Sequence, residues 1–307
     1  MLLSPQNKGY IYGFIGVVIF ALTLPLTHVA VDEFNPILLS IGRTVWAALL
    51  ALPLLLFTKQ KWPSRNDLGK LVLVALGVVF GFPVLSAIAM QSAPASHGGV
   101  VLGALPLATA AMGTIFADEK PSSVFWFWSL LASAAVIAFA LWDGDATLHA
   151  ADALLVLAVI AASMGYAVSG KLARTLGGWQ VICWALVIAL PLTIPITYYF
   201  SHTLTGHESP KAWACFAYLA IMSQFLGFFA WNKGLAMGGV AKVGQVQLLQ
   251  TFITLGFSAL LLGETISLRM IMFALVVGVC VWFGKNTQVK AKSEAKSNIS
   301  TSSYIEE

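Results

Sequence analysis

The chain has 307 residues, 59% of them hydrophobic and 10% charged, where a soluble globular domain carries about 25% charged residues. Its mean hydropathy of +0.85 requires lipid around most of the polypeptide, because even a large water-soluble core leaves about a quarter of its unfolded surface wet. A soluble enzyme is therefore excluded. The formal charge of +4, spread along the chain without a basic patch, gives no footprint for a nucleic acid.

Apolar runs long enough to span a bilayer fall at about 9–31, 36–57, 68–90, 95–116, 122–142, 151–171, 178–200, 211–231, 242–262 and 266–284. The first follows Lys8 and is too long for the apolar region of a signal peptide, so it is expected to be a retained helix. The second begins after the turn Asp32-Glu33-Phe34-Asn35-Pro36 and carries Arg43 about four residues from its middle, hence roughly 6 Å from the membrane midplane. Trp62-Pro63-Ser64 leads to the third, which contains Gly77, Gly81 and Pro83. The fourth presents small residues at Gly99, Gly103, Pro106, Ala110 and Gly113, a pattern suited to close packing of helices. Asp143-Gly144-Asp145 separates the fifth from the sixth, and Gly206-His207-Glu208-Ser209-Pro210 the seventh from the eighth. Gln224, Trp231 and Asn232 lie in or just after the eighth. In the ninth, Gln247, Thr251, Thr254 and Ser258 follow one helical face, with Gln245 and Gln250 beside it. Residues 286–307, rich in Lys and Ser, read as a disordered cytoplasmic tail.

Basic residues mark one side of this pattern. With the N-terminus inside, fourteen of the seventeen Lys and Arg residues fall on the inner side, only Lys211 and Arg269 on the outer side, and Arg43 within a span. That bias predicts both termini in the cytoplasm and a multi-pass protein of the inner (plasma) membrane. A shift of 145 residues sets Gly99, Val101, Thr109, Glu119, Ser122, Leu130 and Val136 over Gly244, Val246, Thr254, Glu264, Ser267, Leu275 and Val281. The identity is low, but helix lengths and the Glu-containing turn stay in step. The expected fold is therefore all-α, an integral membrane domain over 1–285 with ten transmembrane helices as two inverted five-helix repeats, about 9–142 and 151–284. An odd number of helices per half forces opposite orientations.

The stretch from Ser223 to Ala236, then Val243-Gly244-Gln245-Val246-Gln247-Leu248-Leu249-Gln250 and Leu260-Leu261-Leu262-Gly263-Glu264, resembles the EamA-type permeases of the drug/metabolite transporter superfamily. In the first half, Gly103-Ala104-Leu105-Pro106, the turn Ala117-Asp118-Glu119-Lys120-Pro121 and Arg43 resemble the same pattern more loosely. Two positions depart from it. Thr251 stands where the family often has proline, and Phe20-Ala21-Leu22-Thr23-Leu24-Pro25 replaces a frequent Trp-Gly pair. The resemblance implies a secondary transporter that exports a small metabolite, an amino acid or a related amphipathic compound, by alternating access. It also leaves open efflux of hydrophobic cations, and a non-transporting membrane scaffold or sensor.

The candidate substrate-binding residues are Arg43, Gln224, Trp231, Asn232, Gln247, Gln250, Thr251 and Thr254. Arg43 must face the bundle or a watery cavity, where it either attracts a substrate carboxylate or bridges backbone carbonyls. The amides and hydroxyls either line a path or link helices. The aromatics Phe82, Phe225 and Trp231 either stack on substrate or anchor span ends. His28 and His97 are candidates for proton handling, since no carboxylate falls near the midplane. Cys183, Cys215 and Cys280 show no ligand spacing and read as packing residues. Gly165-Tyr166-Ala167-Val168-Ser169-Gly170-Lys171-Leu172 imitates a phosphate-binding loop but lies in an apolar helix without the final Ser or Thr. No cofactor or metal is expected; the partners are a small-molecule substrate and the bilayer, with no nucleic acid, and the protein is a monomer or homodimer.

Overall fold

The computed structural model describes residues 4–93, 98, 101–143, 150–262, 268–287 and 289–291. Seven helical runs among them are long and apolar enough to cross a membrane: α1 (Pro5–Val31), α2 (Pro36–Phe57), α3 (Arg65–Ala89), α6 (Ala151–Leu176), α7 (Gly178–Thr203), α8 (Pro210–Gly238) and α9 (Val240–Leu261). Three more apolar helices, α4 (Leu102–Phe116), α5 (Ser123–Asp143) and α10 (Leu268–Lys285), accompany them. A short antiparallel ribbon pairs β1 (Glu119–Pro121) with β2 (Val289–Ala291), so part of the stretch expected to be disordered forms a strand.

Local sequence explains where several helices start. Asn35 caps α2 by accepting from the N–H groups of Ile37 and Leu38 at 2.9 and 3.4 Å, and Pro36 occupies the first turn, where no N–H is needed. Ser209 and Pro210 repeat the arrangement at α8. The ends of α6 and α8 turn at Gly177 (φ +98°) and Gly239 (φ +89°), a backbone region that side chains with a Cβ rarely adopt.

Two close helix crossings join the halves. Along α1 and α8, Gly9 meets Gly238, Gly13 meets Gly234 and Gly16 meets Trp231, so the helices run antiparallel; a Cβ on Gly234 would stand 2.6 Å from the Gly13 nitrogen. Along α3 and α6, Gly77 meets Gly165 and Gly81 meets Ala161, again antiparallel, and a Cβ on Gly77 would stand 2.5 Å from the Ala161 oxygen. The 145-residue shift carries α1 onto α6 and α3 onto α8. Each crossing is thus the counterpart of the other. Small residues let backbones touch, which matters in lipid because dispersion there replaces the hydrophobic drive between helices. The glycines of the phosphate-loop look-alike take part: Gly165 packs on Gly77 and Val78, and Gly170 on Leu235 and Val240. Further contacts across the halves pair α2 with α7 and α5 with α10.

The two counterpart helices α3 and α8 also share an irregularity. Each widens into a π-helical stretch, Ala75–Gly81 in α3 and Leu219–Leu226 in α8. The wide turns shift backbone carbonyls out of the regular ladder, as is frequent near functional sites. In α1, Pro25 lacks the N–H that would bond the carbonyl of Ala21, and the helix is interrupted at Leu22. Both features face the space between the halves.

Candidate functional site

That space narrows to a small cavity of about 20 Å³, room for a water molecule in the conformation described. Its wall combines Phe20, Thr23 and Leu24 of α1, Arg43 of α2, Val78 and Phe82 of α3, Leu102 and Leu105 of α4, Tyr166 of α6, Ser223, Gln224 and Phe228 of α8, and Gln250 of α9. Both halves and both π stretches contribute.

Arg43 supplies the charge. It is 3% exposed, makes no ion pair or hydrogen bond with any described residue, and its Nε is buried without an acceptor. No carboxylate lines the cavity among the described residues. An unpaired guanidinium inside a bilayer protein costs several kcal/mol unless a cavity, water or an anion receives it. Among the described residues, the one formal charge on the cavity wall is therefore positive.

Around it the polar groups divide into two kinds. Some are satisfied by the protein. Thr23 and Ser223 bond each other through their hydroxyls at 2.8 Å and tie α1 to α8. Gln224 donates its amide to the Val78 carbonyl at 3.0 Å, joining the two π stretches. Thr44 reaches the Val79 carbonyl, which Pro83 cannot serve. Others remain open: the Gln250 side-chain oxygen is buried without a donor, and Tyr166, 5% exposed, makes no hydrogen bond through its hydroxyl among the described residues. The aromatic wall is packed, with Phe20 against Tyr166 and Phe228 at centroid distances of 6.4 and 5.0 Å.

Of the residues named from sequence, Arg43, Gln224 and Gln250 line the cavity. Trp231 stands behind it, fully buried, its ring edge-on to Tyr166 at 5.3 Å and its N–H without an acceptor among the described residues. It does not anchor the span at a lipid surface. Asn232 is fully buried and bonded at both ends of its amide, accepting from Ser169 at 2.9 Å and donating to the Gly178 carbonyl at 3.1 Å. Gln247 accepts from Thr109 at 3.3 Å, and its amide nitrogen has no partner among the described residues. Thr251 is buried on the same helix and is not part of the wall. Thr254 donates at 2.9 Å to the Ala21 carbonyl, the group that Pro25 leaves open. His28 lies 3.1 Å from the Met90 carbonyl through Nδ1 and is also off the wall. His97 lies outside the described residues. The three cysteines are free and buried.

Sequence reading passed over Tyr166, Phe228 and Ser223 as site residues. Tyr166 gives no local signal, since its surroundings are those of an apolar helix; only the fold sets it opposite Arg43. Ser223 and Phe228 flank Gln224 in the motif that carries the family resemblance, and the π turn brings them to the same cavity.

At one end of the bundle a second charged cluster closes on itself. The Glu119 carboxylate accepts from the N–H groups of Val240 and Ala241 at 2.8 and 2.7 Å, at the start of α9, and from Arg174 at 2.9 Å. Beside it Lys171 pairs with Asp118, whose φ of +55° bends the turn. This cluster links the α4–α5 connection to α6 and α9.

Comparison with known proteins places the cavity in context. The EamA-like transporter family matches the chain twice, over residues 7–141 and 149–283. The uncharacterized transporter YdeK of Bacillus subtilis (strain 168) is 40% identical over 279 residues, covering 91% of this chain and 97% of its own. The uncharacterized transporter YyaM of the same organism is 23% identical over 231 residues, covering 72% and 75%. A solved crystal structure 15% identical in sequence superposes with a TM-score of 0.74 over 92% of this chain and 99% of that one, a likeness of fold.

Proposed function

We propose, since the chain belongs to the EamA-like transporter family and is thus a multi-pass membrane transporter, that it exports a small amphipathic metabolite bearing a carboxylate, such as an amino acid. The observation that carries the reading is Arg43, a buried cation without a partner among the described residues, in a cavity between the two repeats. The carboxylate binds Arg43. An ammonium or hydroxyl of the substrate donates to the open oxygen of Gln250, and the apolar part rests on Phe20, Phe82 and Phe228.

In this reading ten helices cross the plasma membrane as two inverted halves, α4, α5 and α10 included, with both termini in the cytoplasm. The fourteen inner-side basic residues support the orientation; the export direction comes from the family resemblance. Access alternates as the halves rock about the α1–α8 and α3–α6 crossings. Carriers of this type bind substrate near the midplane between repeats.

Purified protein in liposomes loaded with a metabolite mixture tests the reading. Release of amphipathic carboxylates above that from empty liposomes is the expected result. Release of hydrophobic cations instead would assign the aromatics to substrate and leave Arg43 a scaffold residue. No release, with insertion verified, would favour a scaffold or sensor.

A further inference from the structure

The carboxylate reading leaves one buried polar group of the cavity without a task. Tyr166 comes from α6, in the second repeat, whereas Arg43 comes from α2, in the first, and the two stand in the same cavity wall. We propose that Tyr166 is a specificity-determining residue, its phenolic hydroxyl donating to the same substrate carboxylate that Arg43 neutralises. The inference rests on the carboxylate reading given above and adds to it a second donor from the opposite half.

Three observations carry it. The residue is 5% exposed and lines the cavity, and no hydrogen bond ties its hydroxyl to a described residue, which leaves the hydroxyl free to donate to a ligand. The ring is fixed before any ligand arrives: it lies nearly parallel to Phe20, with an interplanar angle of 11°, and packs on Phe228 and Trp231 at 6.0 and 5.3 Å. Holding the hydroxyl in place therefore costs little further side-chain entropy on binding. Finally, the wall offers it no carboxylate among the described residues, so an anionic acceptor arrives with the ligand. Two donors on one carboxylate, drawn from both repeats, make binding sensitive to how the repeats stand relative to each other.

The experiment measures binding of three probes matched in size, 3-phenylpropionate, its primary amide and 3-phenylpropan-1-amine, to the full-length protein in nanodiscs. The wild type binds the carboxylate most tightly. Tyr166→Phe keeps the ring contacts and removes only the hydroxyl; it weakens the carboxylate about tenfold and leaves the amide unchanged. Tyr166→Leu is the second variant and gives the same fall in the carboxylate-to-amide ratio. An unchanged ratio in folded Tyr166→Phe, with the preference lost in Arg43→Gln, would reduce Tyr166 to packing and leave the carboxylate reading standing. A wild type that binds none of the probes, or prefers the amide or the amine, would overturn both.

Discussion

Arg43 and Glu119 are both charged, both almost wholly buried, and treated in opposite ways by the fold. Glu119, 6% exposed, accepts two backbone N–H groups at the start of α9 and a guanidinium from Arg174. Arg43, 3% exposed, receives nothing from the described protein. A buried charge with its partners in place holds segments together; one without them lowers stability and persists where something outside the chain completes it. Glu119 is a joint between the α4–α5 turn, α6 and α9. Arg43 is a site.

Substitutions at the two positions separate these roles. Arg43→Gln has the largest consequence for transport, a loss of about thirtyfold or more, corresponding to about 2 kcal/mol of lost charge-pair binding. The same variant melts at an unchanged or higher temperature in detergent, because a neutral amide removes an unpaired buried charge. A marked loss of thermal stability would mean that Arg43 holds the fold, and the contrast would collapse.

Glu119→Ala works the other way. It strips the α9 start of its cap and Arg174 of its partner, and lowers stability by about 2–3 kcal/mol, read as a fall in melting temperature. Substrate affinity of the folded fraction stays as in the wild type, since Glu119 does not line the cavity. Altered affinity with full stability would overturn the assignment.

Thr254→Val is a finer probe. It removes the donor that serves the Ala21 carbonyl, at a cost of about 1 kcal/mol in stability, with transport specificity unchanged. A change in which substrates are carried would move Thr254 into the site.

The smallest effect concerns Glu33, an exposed carboxylate in the α1–α2 connection that accepts from the Ser209 hydroxyl and N–H at 2.6 and 2.5 Å. These hydrogen bonds, the hydroxyl's first, hold its pKa below the ordinary carboxylate value. A lowered folded pKa means that the tie contributes stability above the ordinary range and loses it as pH falls through the folded value. Glu33→Gln therefore shows slightly less acid sensitivity of melting than the wild type below the ordinary carboxylate range. An identical acid profile would remove Glu33 from the set of groups that matter.

Much of this is legible in the sequence alone. Apolar runs and basic residues marked the membrane chain, and Arg43 stood out because it was charged where water is absent. Gln224 and Gln250, which the sequence marks as candidate substrate-binding residues, line the cavity. Asn232 and Thr254, chosen by the same reasoning, are instead spent on Ser169, on the Gly178 carbonyl and on the carbonyl that Pro25 leaves open. One amide or hydroxyl in a span looks like another; only its neighbours across the bundle decide whether it bonds protein or ligand. Tyr166 shows the converse, an ordinary residue of an apolar helix that gains a role from the α2 side chain opposite.

The sequence by itself determined the solvent, the helical runs, the halves in register and the presence of one cation that lipid cannot accept, because these depend on composition and spacing along one chain. Tertiary structure alone decided which polar groups stay open. Inside a bilayer each must find a partner, and for Thr254, Asn232 and Glu119 that partner comes from a distant segment, whereas for Arg43, Gln250 and Tyr166 the fold brings a cavity instead.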